Sequence, residues 1–155
     1  MKVTVITVSD RAFKGAYTDQ SGPKIVQILK ENFDDIVIET FVIPDDADIL
    51  YQSFVTSSDS DFIITTGGTG LSERDITPET TECFCTKEIP GISEVIRRES
   101  CKETPNAMLS RAYSGFRGKC IIVNMPGSPK AVELATKVIV PIMKHAINMF
   151  RGKEH

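Results

Sequence analysis

A chain of 155 residues, 41% hydrophobic and 25% charged, is long enough to bury a core without disulfide or metal staples and reads as a single domain, 1–155. Its net charge of −3 excludes a bulk positive field for holding nucleic acid, and no apolar run approaches the length of a membrane span. The opening MKVTVITVSDR lacks the apolar region of a signal peptide, so a cytoplasmic protein is expected.

In chain order, VTVITV (3–8) is a β-branched run and predicts a buried strand that ends at Ser9 and Asp10. GAYTDQSG (15–22) is a loop, and Pro23 opens a helix to about 33 with Ile25, Ile28 and Leu29 on one face. IVIETFVI (36–43) predicts a second strand, broken by Pro44, Asp45 and Asp46, and an acidic cap starts a helix over 47–57. DFIITT (61–66) is a third strand, and the glycine-rich TTGGTG follows its end. Thr77 and Pro78 fit an N-cap and first helical position, for a helix to about 85. Pro90 and Gly91 read as an interruption before a helix over 92–100. Residues 106–119 predict a loop and a short edge strand. CIIVNMPGSPKAV is then a strand, a Pro-Gly turn and the start of a last helix to about 150, with Pro141 as a candidate kink. Strands alternating with helices predict an α/β fold, a three-layer α/β/α arrangement on a mostly parallel sheet. Ligands in such folds bind at the carboxyl ends of the strands. Four strand ends carry polar or glycine-rich turns, SDRA, PDD, TTGGTG and NMPGSP, which makes them candidates for one shared site.

Glycines at 67, 68 and 70 let backbone N–H groups approach a ligand, and at a strand end they suit phosphate. The loop is neither a Walker A motif nor a G-x-G-x-x-G fingerprint, and a tight structural turn explains it about as well. Asp10, Asp45, Asp46 and Asp75 each follow a predicted strand. Taken singly, Asp45 or Asp46 reads as a helix cap and Asp75 as a partner of Arg74; together beside a phosphate nest they suggest a Mg²⁺-bound nucleotide. Pro126, Gly127 and Ser128 open the last helix, whose N-terminus favours anions, with Lys130 adding charge. Cys83, Cys85, Cys101 and Cys120 form neither a zinc pair nor a C-x-x-C and are expected to be free, partly buried thiols. The histidines are His145 and His155, the latter expected to fray at the terminus; they make no catalytic constellation. Any chemistry here therefore proceeds without a histidine base.

VSDRA, GAYTD, IPDD, TTGGTGLSERDITPE, IPG, LSR and NMPGSPKAV occur in an order and spacing that resembles the molybdenum-cofactor biosynthesis domain, and within it the MogA/MoaB group of molybdopterin adenylyltransferase type. EIPGI stands where that group more usually has M-P-G-F, which leaves the apolar surroundings of the Pro-Gly pair intact. The resemblance implies adenylyl transfer from ATP to molybdopterin with Mg²⁺, releasing pyrophosphate, in a homotrimer that makes transient contact with the molybdenum insertion enzyme. It implies catalytic roles for Asp45 and Asp75, also as Mg²⁺ ligands. It places Ser9, Asp10, Thr66, Gly67, Gly68, Thr69, Gly70, Ser110, Pro126, Gly127 and Ser128 along the substrate and nucleotide pocket. A binding-only paralogue of the MoaB type and a nucleotide-diphosphate hydrolase are the competing readings.

Overall fold

The computed structural model describes residues 1–152; His155 lies outside the described residues. Six strands, β1 (Lys2–Val8), β2 (Val37–Ile43), β3 (Phe62–Thr66), β4 (Lys87–Glu88), β5 (Ser114–Arg117) and β6 (Cys120–Met125), form one sheet in the order β2-β1-β3-β6-β5-β4. The β2-β1-β3-β6 pairs are parallel, and β5 and β4 continue the sheet antiparallel. The helices are α1 (Asp10–Phe13), α2 (Ser21–Asn32), α3 (Ala47–Thr56), α4 (Thr77–Phe84), α5 (Pro90–Cys101) and α6 (Pro129–Phe150).

Strand alternation sorts the core into two layers. Val3, Val5, Phe62, Ile64, Ile121 and Val123 point to one face and pack against Ile25 and Leu29 of α2, Ile92 and Ile96 of α5, and Val132, Ile139 and Met143 of α6. Ile6, Val8, Ile63 and Ile122 point to the other, against Leu50 and Phe54 of α3 and Phe84 of α4. The sheet is thus covered on both sides, the expected three-layer α/β/α form. Parallel register aligns the strand ends, with Val8 opposite Ile43, Thr7 opposite Thr66, and Thr66 opposite Met125. The turns that leave these strands consequently meet on one edge of the sheet.

Local details differ from the sequence reading where side-chain partners, rather than propensity, decide. Pro90 and Gly91 open α5 instead of interrupting it, since proline's missing N–H costs nothing in a first turn. The N-cap of α4 is Ile76, with Thr77 inside the helix; the Thr77 hydroxyl donates to the Gly67 carbonyl at 3.0 Å and so serves the glycine loop. The strand in 106–119 is internal, because the two-residue β4 pairs outside it. A 3-10 segment, Pro105–Leu109, precedes it. Pro141 lies on the exposed side of α6, which continues through it to Phe150. All four cysteines are free; burial pushes the Cys85 and Cys120 thiols up to about 12, which keeps them protonated and unreactive.

Candidate active site

Two cavities open along the strand ends. The smaller, about 250 Å³, is lined by Ser9, Asp45, Thr66, Gly67, Gly68, Asp75 and Gly127 among the expected site residues, and also by Thr7, Tyr17, Asp19 and Ser21. The larger, about 640 Å³, takes Thr69, Gly70, Ser110, Pro126 and Ser128, with apolar walls from Leu71, Ile96, Leu109 and Leu134. The glycine loop and the Pro-Gly turn contribute to both, so they form the wall the cavities share. Asp10 lines neither cavity. It braces the site instead: the Asp10 N–H donates to the Asp45 carboxylate at 3.0 Å, and the Asp45 N–H donates to Asp10 Oδ1 at 3.1 Å. This reciprocal pair ties the end of β1 to the end of β2.

The ambiguity between the adjacent acids resolves cleanly. Asp46 caps α3, accepting the Ile49 N–H at 3.0 Å, and Asp45 faces the cavity. Burial, and then the nearby Asp75 carboxylate, hold Asp45 above the usual carboxylate range. Asp75 accepts the Ser72 N–H at 2.9 Å, which fixes the carboxylate against its own loop. Arg74 pairs with Asp10 rather than with Asp75.

The glycine loop is held so that its amides are free. Gly67 and Gly68 adopt φ values of +96° and +65°, and a Cβ at Gly67 would stand 2.4 Å from the Val8 carbonyl oxygen. The carbonyls of residues 67, 68, 69 and 70 are each tied to a protein donor: Thr77 Oγ1 (3.0 Å), Thr77 N (3.1 Å), Arg111 N (3.0 Å) and Arg111 Nε (2.7 Å). In a trans peptide the next N–H points opposite to the carbonyl, and no described peptide bond is cis. The N–H groups of Gly68, Thr69, Gly70 and Leu71 are therefore turned away from those donors, and none has an acceptor among the described residues. The second turn repeats the device. Thr66 Oγ1 holds the Pro126 carbonyl and Ser21 Oγ the Gly127 carbonyl, each at 2.8 Å, which turns the amides of Gly127 and Ser128 outward. Six amides, four after β3 and two before α6, are thus left without a protein acceptor along the wall the cavities share, donors suited to an anion.

Several supporting residues escaped the sequence reading. Arg111 also donates to the Asp75 carbonyl at 2.7 Å and pairs with Glu79, so one guanidinium spans the loop that carries Asp75. Asp19 accepts from Thr7 Oγ1 at 2.6 Å and from the Ser21 and Gly22 amides, which seats α2 under the Pro-Gly turn. Asn124, fully buried, accepts the Tyr113 N–H and donates to Thr65 and Thr81, a satisfied network beneath both loops. Arg111 and Asp19 sit in the motifs LSR and GAYTD, but the Gly70, Asp75 and Glu79 partners of Arg111 lie 32 to 41 residues away and the Thr7 partner of Asp19 lies 12 away, and spacing carries no trace of them. His145 is exposed on α6 and lines neither cavity.

A mostly parallel α/β sheet with free amides and carboxylates gathered at its strand ends belongs to the class of α/β proteins that bind ligands at that edge. Comparison with known proteins narrows it. The family described as a probable molybdopterin binding domain matches residues 4–145. The molybdopterin adenylyltransferase of Helicobacter pylori is 37% identical over 154 residues, covering 97% of this chain and 88% of that protein. That of Haemophilus influenzae is 36% identical over 137 residues, covering 86% of this chain and 70% of that one. The crystal structure of MoaB from Thermus thermophilus superposes with a TM-score of 0.87 at 33% identity, covering 98% of this chain and 97% of the other. This chain belongs to the MogA/MoaB family of molybdenum-cofactor biosynthesis proteins.

Proposed function

We propose that this protein is a molybdopterin adenylyltransferase, joining the adenylyl group of ATP to the terminal phosphate of molybdopterin and releasing pyrophosphate. The observation that carries the proposal is the common wall: a row of free amides stands between a cavity lined by the carboxylates of Asp19, Asp45 and Asp75 and a roomier cavity with apolar walls. The larger cavity suits a planar heterocycle. The smaller one suits reacting phosphates, and the free amides bridge the two.

Asp45 and Asp75 face one cavity, and the charge of Asp75 helps hold Asp45 protonated more tightly than an ordinary carboxylate. Among the described residues no cluster of three acids, histidines or cysteines forms a complete protein cage for a metal. That donor set fits Mg²⁺, which takes one or two carboxylates and completes its shell with phosphates and water. Asp45 and Asp75 are the ligands we assign; when bound, Mg²⁺ supplies charge neutralisation for the phosphate chain.

The residues of the chain do the rest by position and charge. A phosphate monoester is already a nucleophile, which accords with a site that has no histidine among its lining residues. The amides of Gly68, Thr69 and Gly70 hold phosphate oxygens where charge builds up during transfer. Ser9, Thr66 and Gly127 close the smaller cavity around them, and Ser110, Pro126 and Ser128 hold the substrate in the larger one. The protein is a homotrimer in this reading, with apolar Val37, Phe41 and Val42 of the edge strand exposed for contact, and its product passes to the molybdenum insertion enzyme. No helix among the described residues is long and apolar enough to cross a membrane, which accords with work in the cytoplasm. The test is pyrophosphate release from purified protein with ATP, Mg²⁺ and molybdopterin. Release that requires all three is expected; pterin binding without ATP consumption would reduce the protein to a carrier.

A further inference from the structure

We infer that Arg74 is a movable cation of this site, which exchanges its Asp10 partner for the pyrophosphate end of the nucleotide as that group departs. The inference rests on the adenylyl-transfer reading above and assigns a role to a residue that reading leaves out.

The smaller cavity presents Asp19, Asp45 and Asp75, and neither lysine nor arginine lines it. A triphosphate entering there adds several negative charges, more than one divalent ion cancels. Arg74 stands one residue before Asp75 on the same loop, and its guanidinium reaches across to Asp10, which is hydrogen-bonded to Asp45 in both directions. The cation is thus moored beside the acidic cavity without lining it. The Arg74 side chain is 70% exposed and that of Asp10 is 16% exposed, so the pair is open to water on the guanidinium side, where an entering anion can meet it. Other guanidiniums near the site are committed. Arg111 holds the carbonyls of Gly70 and Asp75, Arg97 holds that of Ala112, and Arg11 lies over the ring of Tyr17. Arg74 has only a carboxylate to leave, and a phosphate offers the same fork of oxygens with greater charge.

The chemistry defines the moment of exchange. An oxygen of the acceptor phosphate attacks the α-phosphorus of ATP and forms a new P–O bond. The bond from that phosphorus to the oxygen bridging to the β-phosphate breaks, and its electron pair stays on that oxygen. Pyrophosphate departs with the added negative charge, and N–H groups of Arg74 donate hydrogen bonds to it without losing a proton. The exposure of Arg74 lets it meet a leaving group that departs toward solvent.

Calorimetric titration with Mg-pyrophosphate, Mg-ATP and AMP separates the possibilities, using the intact protein and its Arg74→Ala, Arg74→Lys and Asp10→Asn variants. Arg74→Ala is expected to weaken Mg-pyrophosphate and Mg-ATP binding by about 10-fold or more and to leave AMP unchanged. Arg74→Lys recovers part of the loss, and Asp10→Asn, which removes the competing carboxylate, tightens Mg-pyrophosphate. Unchanged pyrophosphate binding in Arg74→Ala overturns the inference, as does an equal loss for AMP, which marks a general disturbance of the loop. Turnover of the unmodified protein is measured alongside. Turnover together with an indifferent Arg74 sinks this inference alone; Arg74-dependent pyrophosphate binding without turnover sinks the adenylyl-transfer reading and keeps the cation site.

Discussion

At the scale of single residues, Asp45 and Asp75 carry the account. Asp75→Asn keeps the shape and the acceptor for the Ser72 amide but removes the charge. It should lower pyrophosphate release by about 100-fold or more with an unchanged circular dichroism spectrum, since charge placed for a transition state commonly contributes that much. Asp45 gives a prediction of opposite sign for stability. Its folded-state pKa is raised, so the folded protein binds that proton more tightly than the unfolded chain, and stability falls as pH climbs above the ordinary carboxylate range. Asp45→Asn should raise the melting temperature at pH 7, with the gain fading once pH drops below the usual aspartate pKa, while turnover is lost. A melting temperature lowered equally at both pH values would show that Asp45 is a structural acid. The sequence placed both acids at strand ends but left Asp45 and Asp46 interchangeable as caps. Only the turn geometry, with Asp46 on the Ile49 amide and Asp45 on Asp10, distinguishes them. The same limit hid Arg74, whose neighbour in sequence is Asp75 and whose partner in space is Asp10.

At the scale of elements, the loop from β3 to α4 is a device for exposing amides. Its shape depends on two positive φ values and on carbonyls held by Thr77 and Arg111. Gly67→Ala forces a Cβ to within 2.4 Å of the Val8 carbonyl and should cost about 1–3 kcal/mol, read as a shifted urea midpoint. Arg111→Ala leaves the sheet intact but frees the loop. Hydrogen exchange should accelerate over residues 67–75 and kcat should fall, whereas unaltered exchange there would show that Arg111 does not hold the loop. Strands and long helices were legible because burial on two faces writes continuous β-branched runs, and amphipathic helices write a 3.6-residue period. The loop's glycines were legible too. Its fastenings were not, because a threonine at a helix start looks like a cap whichever acceptor its hydroxyl takes. Two-residue β4 and the internal place of β5 depend on pairing between distant segments, which local pattern does not encode.

At the scale of the whole molecule, the strand order brings four turns to one edge, and the site exists only because β1, β2, β3 and β6 end in register. The trimer proposed here predicts a solution mass by light scattering of three times the 17.1 kDa chain; a monomer mass would contradict it. Adenylyl transfer across the shared wall is tested by pyrophosphate release in a reaction of purified protein, ATP, Mg²⁺ and molybdopterin, with each component omitted in turn. Stoichiometric release and adenylylated molybdopterin are expected only in the complete mixture, and both are lost in Asp75→Asn. Saturable pterin binding with no pyrophosphate, or ATP-independent cleavage of a nucleotide diphosphate, would contradict it.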